Sequence, residues 1–158
     1  IIGGNYPAAK LNLGRFGIKG GCWYLCRIKA ISRKDVQLRW DIPRSKTISA
    51  IKEADIVLIT SNREASPLVC LESMAAGTPW VSFDVGNIKE NAGGYVVENV
   101  DEMVEKVNYL LSHPQHRNDL GKQGQDNISI EHDWNTIADT YEQLYLSLLK
   151  NKLSKKRA

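Results

Sequence analysis

The chain has 158 residues, 42% of them hydrophobic, and a formal net charge of +3. That is the size of one domain with a real core, and it excludes both a disordered polyelectrolyte and a small disulfide-stapled scaffold. No run approaches the ~20 consecutive apolar residues of a membrane-spanning helix and no signal peptide is visible, while three scattered cysteines, Cys22, Cys26 and Cys70, point to a reducing, cytoplasmic setting.

Ile1-Ile2-Gly3-Gly4 opens as a strand with no initiating Met, as in a piece cut from a longer protein. Residues 5–20 are rich in glycine and polar residues and read as a loop. Gly21 to Ile31 reads as a helix with Trp23, Ile28 and Ile31 among its apolar positions. Cys22 and Cys26 share one face of it, but two thiols with no further Cys or His nearby make no zinc site. The Val36-Leu38-Trp40 alternation predicts a strand over Asp35–Trp40, followed by a rim loop at Asp41–Arg44 and a short helix from Thr47 to Glu53.

Ile56 to Thr60 is a short, mostly β-branched run, apolar on both faces, as expected of a strand buried between helix layers. A polar loop, Ser61 to Ala65, follows. Ser66 stands in the N-cap position and Pro67 in the first helical position of a helix to Ala76, with Gly77 as its stop. Pro79 to Phe83 is the next strand. Strand, helix and strand this close together imply a right-handed parallel crossover, with the loop and the helix N-terminus at the carboxyl edge of the sheet, where open α/β sheets bind ligands.

Glu64 and Glu72 lie in an E-x7-E arrangement around that N-terminus. The first amides of the helix, Leu68 and Val69, with the positive end of the helix dipole, favour an anion between the carboxylates. Carboxylates accept hydrogen bonds from sugar and ribose hydroxyls, so the constellation suits a nucleotide sugar. The plain alternative is that Glu64 is a solvated loop residue and Glu72 a salt-bridge partner on the helix face.

After Gly86, Asn87 to Asn91 forms a loop and Tyr95 to Val97 a short strand. Met103, Val104, Val107, Leu110 and Leu111 recur at helical spacing until Pro114 stops the helix. Pro114 also separates His113 from His116, which are therefore read as loop residues, and no metal site is expected. Trp134, Ile137, Ala138, Tyr141, Leu144, Tyr145 and Leu148 give an amphipathic helix capped by Asp133, its aromatics read as core. Residues 1–60 carry a balance of +7, residues 61–149 one of −9, and the tail from Lys150 adds five cations. The basic parts would attract an anionic ligand or the inner face of a membrane as a peripheral contact. The basic residues are not interleaved with aromatics in any nucleic-acid-binding pattern, so no nucleic acid is expected.

The stretch Glu64-Ala65-Ser66-Pro67-Leu68-Val69-Cys70-Leu71-Glu72-Ser73-Met74-Ala75-Ala76-Gly77-Thr78-Pro79 resembles the signature of the retaining glycosyltransferases of the GT-B fold, the "group 1" or family 4 class. The flanks Ala54-Asp55-Ile56 and Val81 to Gly86 are similar to the same family, as are Gly94 to Val97, Leu110 to Pro114, Leu120-Gly121 and Trp134 to Ala138. The resemblance implies an α/β fold, a Rossmann-like parallel sheet flanked by helices, over residues 1–149, with a basic tail at 150–158. It implies the donor-binding half of an enzyme that moves a hexosyl group from a nucleoside-diphosphate sugar to an acceptor with retention, using no cofactor and no metal. Its partner would be an N-terminal acceptor-binding domain outside this sequence, so the chain alone should be inactive.

By the same resemblance, Glu64 would hold donor-sugar hydroxyls and Glu72 the ribose, with Ser66, Leu68 and Val69 cradling the diphosphate. Gly14-Arg15 and Lys19-Gly20 are similar to the family's basic pair, so Lys19 would offset leaving-group charge and Arg15 would assist. Glu90 matches the glutamate of a loop beside the donor sugar, with Lys89 in place of the family's proline. The Asp41–Arg44 loop would receive the nucleobase. A GT-B-fold nucleotide-sugar epimerase and a non-catalytic α/β interaction module are the alternatives.

Overall fold

A computed structural model describes residues 2–3, 35–37, 39–40 and 42–155. The predicted loop at 5–20 and helix at 21–31, with Arg15, Lys19, Cys22 and Cys26, lie outside these residues, as do Leu38, Asp41 and the last residues of the tail. The chain divides into two compact units, Ile1–Ser49 and Ala50–Ala158. In the first unit, β1 (Ile2–Gly3) pairs in parallel with β2 (Arg39–Trp40), so the described part of the Asp35–Trp40 strand is its last two residues. Helix α1 (Arg44–Glu53) begins earlier than the Thr47 start expected. The Pro43 carbonyl accepts from the amides of Lys46 and Thr47 at 2.9 and 3.2 Å, which makes Arg44 helical rather than part of a rim loop.

The second unit is built on a parallel three-stranded sheet in the order β3 (Val57–Ile59), β4 (Trp80–Phe83), β5 (Gly94–Val97). Val57 stands opposite Trp80 and Ile59 opposite Ser82, while Trp80 stands opposite Gly94 and Phe83 opposite Val97. Side chains alternate along β4, and each face feeds its own core. Trp80 joins Ile59, Cys70, Met74 and Ile88 on the side of helix α2 (Leu68–Ala76). Val81 joins Val97, Met103, Leu110 and Leu120 on the side of α3 (Val100–Ser112). Helices on both faces of a parallel sheet make this an α/β fold of the Rossmann-like kind. Leu58 is 48% exposed, so β3 is not sealed on both faces as its composition predicts.

Pro114 ends α3 as expected and also opens a further helix, α4 (Pro114–Glu131), that the apolar pattern does not announce. Proline suits that first position because its missing amide hydrogen would have had no acceptor there. His116 is therefore helical and half-buried, not a loop residue, and its Nε2 lies 2.7 Å from the Tyr95 hydroxyl. Gly121 allows α4 to lie against the end of α2, since a Cβ there would stand 2.1 Å from the Gly77 carbonyl oxygen.

The last helix, α5 (Trp134–Lys155), is capped as predicted: Asp133 Oδ2 accepts from the amides of Asn135 and Thr136 at 3.0 Å each. Its aromatics are not core. Trp134 is 82% exposed and Tyr141, Leu144, Tyr145 and Leu148 are exposed as well, because helical spacing marks an apolar face without supplying a neighbour to cover it. Ending the chain after Asp133 is therefore expected to shift the urea unfolding free energy of the Ala50–Ala158 unit by no more than about 0.5 kcal/mol. A loss of roughly 2 kcal/mol, the scale of a core side chain, would show that α5 belongs to that core. Among the described residues no helix is long and apolar enough to cross a membrane.

Candidate functional site

The loop after β3 runs from Thr60 to Pro67 at the carboxyl edge of the sheet, and α2 begins at Leu68, one residue later than Ser66 as cap would require. Pro67 occupies the cap position with φ −71° and ψ 104°, and no side chain bonds into the helix start. Ser66 is exposed and is not the cap. The residue before a proline is steered toward extended backbone, and Pro67 itself stays extended at ψ, while the Cys70 amide donates to the Pro67 carbonyl at 2.9 Å and closes the first turn. The amides of Leu68 and Val69 belong to the first turn, whose N–H groups have no intrahelical acceptor. Groups of that kind, with the helix dipole behind them, favour an anion.

Starting the helix one residue later brings Glu72 about 1.5 Å nearer its N-terminus than a Ser66 cap would. Glu72 is half-buried and already takes part in an interaction of its own. Glu64 is exposed in the loop, and Leu68 is 68% exposed at the helix tip. Val69 turns the other way and packs against the core beneath α2. Glu64, Ser66, Leu68, Val69 and Glu72 thus share one loop-to-helix segment.

A second loop, from Asp84 to Gly93 between β4 and β5, locks onto the first. Gly86 has φ +54°, and a Cβ there would stand 2.2 Å from the Ala65 carbonyl oxygen and 2.8 Å from that of Glu64. The Asn87 amide donates to the Ala65 carbonyl at 3.2 Å. Glycine is needed at Gly86 for both reasons, a left-handed backbone and a direct approach of two loops. The backbone under Glu64 is held by this junction. The sequence reading passes over it, although a glycine in the loop three residues past the end of a strand is a signal for such an approach. The loop continues into a single helical turn, Ile88–Glu90, anchored by the fully buried Ile88, with Glu90 exposed on it. Lys89, the residue at the family's proline position, pairs with Asp84 at 2.6 Å.

The remaining chemistry-bearing groups nearby are structural. Burial pushes the Cys70 thiol up to about 12, so it stays protonated and unreactive at neutral pH. Ser73 Oγ donates to the Thr78 carbonyl at 2.6 Å, and Thr78 Oγ1 donates to the Ile51 carbonyl at 2.9 Å. No cluster of three or more His, Cys, Asp or Glu able to hold a metal occurs among the described residues. At the opposite, amino edge of β3 and β4, a polar cleft of about 200 Å³ is lined by Lys52, Asp55, Thr78 and Arg117. It holds the Arg117–Asp55 ion pair at 2.9 Å.

A family model described as glycosyl transferases group 1 matches residues 26–127. The chain belongs to that family. Trehalose synthase from Pyrococcus horikoshii is 30% identical over 112 residues, which cover 68% of this chain and 26% of that protein. Spore coat protein SA from Bacillus subtilis is 32% identical over 114 residues, covering 66% of this chain and 29% of that protein. The chain thus spans a little over a quarter of the length of these relatives. Among solved structures, sucrose-phosphate synthase from Thermosynechococcus elongatus superposes with a TM-score of 0.68 at 23% identity, over 81% of this chain and 33% of that one. That likeness is one of fold, and with the family match it makes the parallel sheet and its helices a GT-B Rossmann-like half.

Proposed function

We propose that this chain is the donor-binding half of a retaining glycosyltransferase and takes a nucleoside-diphosphate sugar. The observation that carries the proposal is the uncapped start of α2, placed between Glu64 and Glu72 at the carboxyl edge of the sheet. Leu68 and Val69 offer amides to the diphosphate, Ser66 adds a hydroxyl, and Lys19 neutralises charge on it, with Arg15 assisting. Glu64 accepts from sugar hydroxyls, Glu90 approaches the sugar from the second loop, and Glu72 accepts from the ribose. In the transfer, the bond between the anomeric carbon and the diphosphate oxygen breaks and one to the acceptor oxygen forms on the same face, the acceptor proton passing to the departing diphosphate. Fixed amide dipoles and the charge of Lys19 would be the terms this half contributes to stabilising the developing negative charge.

The relatives' names, a trehalose synthase among them, support hexosyl transfer. The acceptor would be held by a further domain, so these residues alone bind donor and transfer nothing. The protein would work in the cytoplasm, its basic segments compatible with the inner face of a membrane.

Calorimetric titration with UDP, GDP and ADP, each beside its nucleoside, tests this reading. One diphosphate is expected to bind clearly more tightly than its nucleoside, and Lys19→Ala should remove about 1.5 kcal/mol from the diphosphate while leaving the nucleoside nearly unchanged. Nucleoside and diphosphate binding alike, or neither binding, would turn the assignment to an interaction module. Conversion of a sugar nucleotide to its epimer by this chain alone would turn it to the epimerase.

A further inference from the structure

The Asp84–Gly93 loop contains one side chain that neither the fold nor the proposed diphosphate and ribose contacts use. Asn87 Oδ1 is a buried oxygen with no hydrogen-bond partner among the described residues. Buried carboxamide oxygens in folded proteins are almost always satisfied, by protein, by water or by a ligand, so this one takes its partner from outside the described residues. Backbone strain does not account for it, because φ at Asn87 is −94°, outside the left-handed region, and its backbone amide and carbonyl are both bonded. Its amide donates to the Ala65 carbonyl at 3.2 Å, and its carbonyl accepts from Asn91 Nδ2 at 3.2 Å. The backbone is held at both ends while the carboxamide has nothing to do. Asparagine χ2 is a broad, roughly two-fold torsion, so turning the amide costs little. The residue is only half-buried, which leaves that amide an open side to turn toward. Its position follows from the junction already described, one residue after Gly86 and bonded to the carbonyl next to Glu64.

Resting on the donor-site reading above, we propose that Asn87 is a sugar-recognising residue: its carboxamide oxygen turns out to accept a hydroxyl of the donor sugar held against Glu64. A bare nucleoside diphosphate lacks that hydroxyl and leaves Asn87 as it stands. Asn87 is thus assigned to the sugar, and the start of α2 to the diphosphate.

The test compares UDP-glucose with UDP, GDP-mannose with GDP and ADP-glucose with ADP, using the pair whose diphosphate binds the parent chain. Asn87→Ala is expected to weaken the sugar nucleotide about five- to ten-fold, the worth of one to one and a half hydrogen bonds, and to leave the diphosphate within about two-fold. Asn87→Asp keeps the acceptor oxygen and should restore at least half of the lost preference for the sugar nucleotide. Unchanged diphosphate affinity reports an intact loop, so a loss confined to the sugar is not a folding effect. Equal weakening of both ligands would make Asn87 a structural pin and overturn the proposal. So would an unchanged preference in Asn87→Ala, or, should that variant fail to fold, a side-chain amide resonance of Asn87 in the parent chain that does not move on sugar addition. A parent chain that binds no diphosphate at all would fail earlier, and would refute the donor-site reading itself.

Discussion

Replacing Gly86 with alanine is expected to destabilise the Ala50–Ala158 unit by roughly 3–4 kcal/mol and to abolish sugar-nucleotide binding. Two costs combine. A non-glycine residue at φ +54° is strained, and its Cβ would overlap the Ala65 carbonyl oxygen at 2.2 Å, a backbone atom with no rotamer to escape into. Relief requires the two loops to part, and parting them releases the backbone beneath Glu64. Gly77 is the control. It too is left-handed, at φ +71°, but a Cβ there would meet nothing closer than the Gln125 carboxamide at 3.6 Å. Gly77→Ala should therefore cost only the backbone term, about 1 kcal/mol. For a unit of this size the first change lowers Tm on the order of 15 °C and the second about 5 °C. Equal shifts in thermal unfolding would mean that the loops are not in tight contact and that nothing fixes Glu64.

The central unit from Ile56 to Phe83 was legible because every local signal agreed: β-branched residues for the strands, a proline at the helix start, a glycine at its end. The placement of Glu64 in the loop and of Glu72 on the helix was legible for the same reason. What escaped the sequence was decided by neighbours. α4 was hidden because Pro114 reads equally as a stop or a first residue, and because Gly121 and Gly124 look like breakers. In the structure they are contact points, where a Cβ would strike the Gly77 carbonyl or crowd Met74 and Gly93. The α5 aromatics were misread for the opposite reason, a good apolar stripe with no described element to receive it. Ser66 was misplaced as a cap because its type is right, whereas Pro67 holds the extended backbone that defines the cap. Asn87 carries no pattern at all, and only its buried, unanswered oxygen draws notice.

The Glu72→Gln change is expected to reduce nucleotide affinity by about 1.5–3 kcal/mol, the range of a hydrogen bond to a charged group, with little change in the stability of the unliganded chain. Stability should hold because Glu72 is half-buried rather than sealed in the core, and partly solvated charges contribute on the order of 1 kcal/mol or less to folding. Glutamine keeps the shape and one acceptor oxygen while removing the charge. A carboxylate that binds the ribose has a signature that a salt-bridge partner lacks. The parent chain should bind the 2′-deoxy nucleotide more weakly than the ribonucleotide, and Glu72→Gln should remove most of that difference. Isothermal titration with the two nucleotides, beside a thermal melt without ligand, separates the roles. Should the variant melt several degrees lower yet discriminate ribose from deoxyribose as well as the parent does, Glu72 supports the helix instead of the ligand. The diphosphate at the start of α2 would then be held without a ribose anchor on that helix.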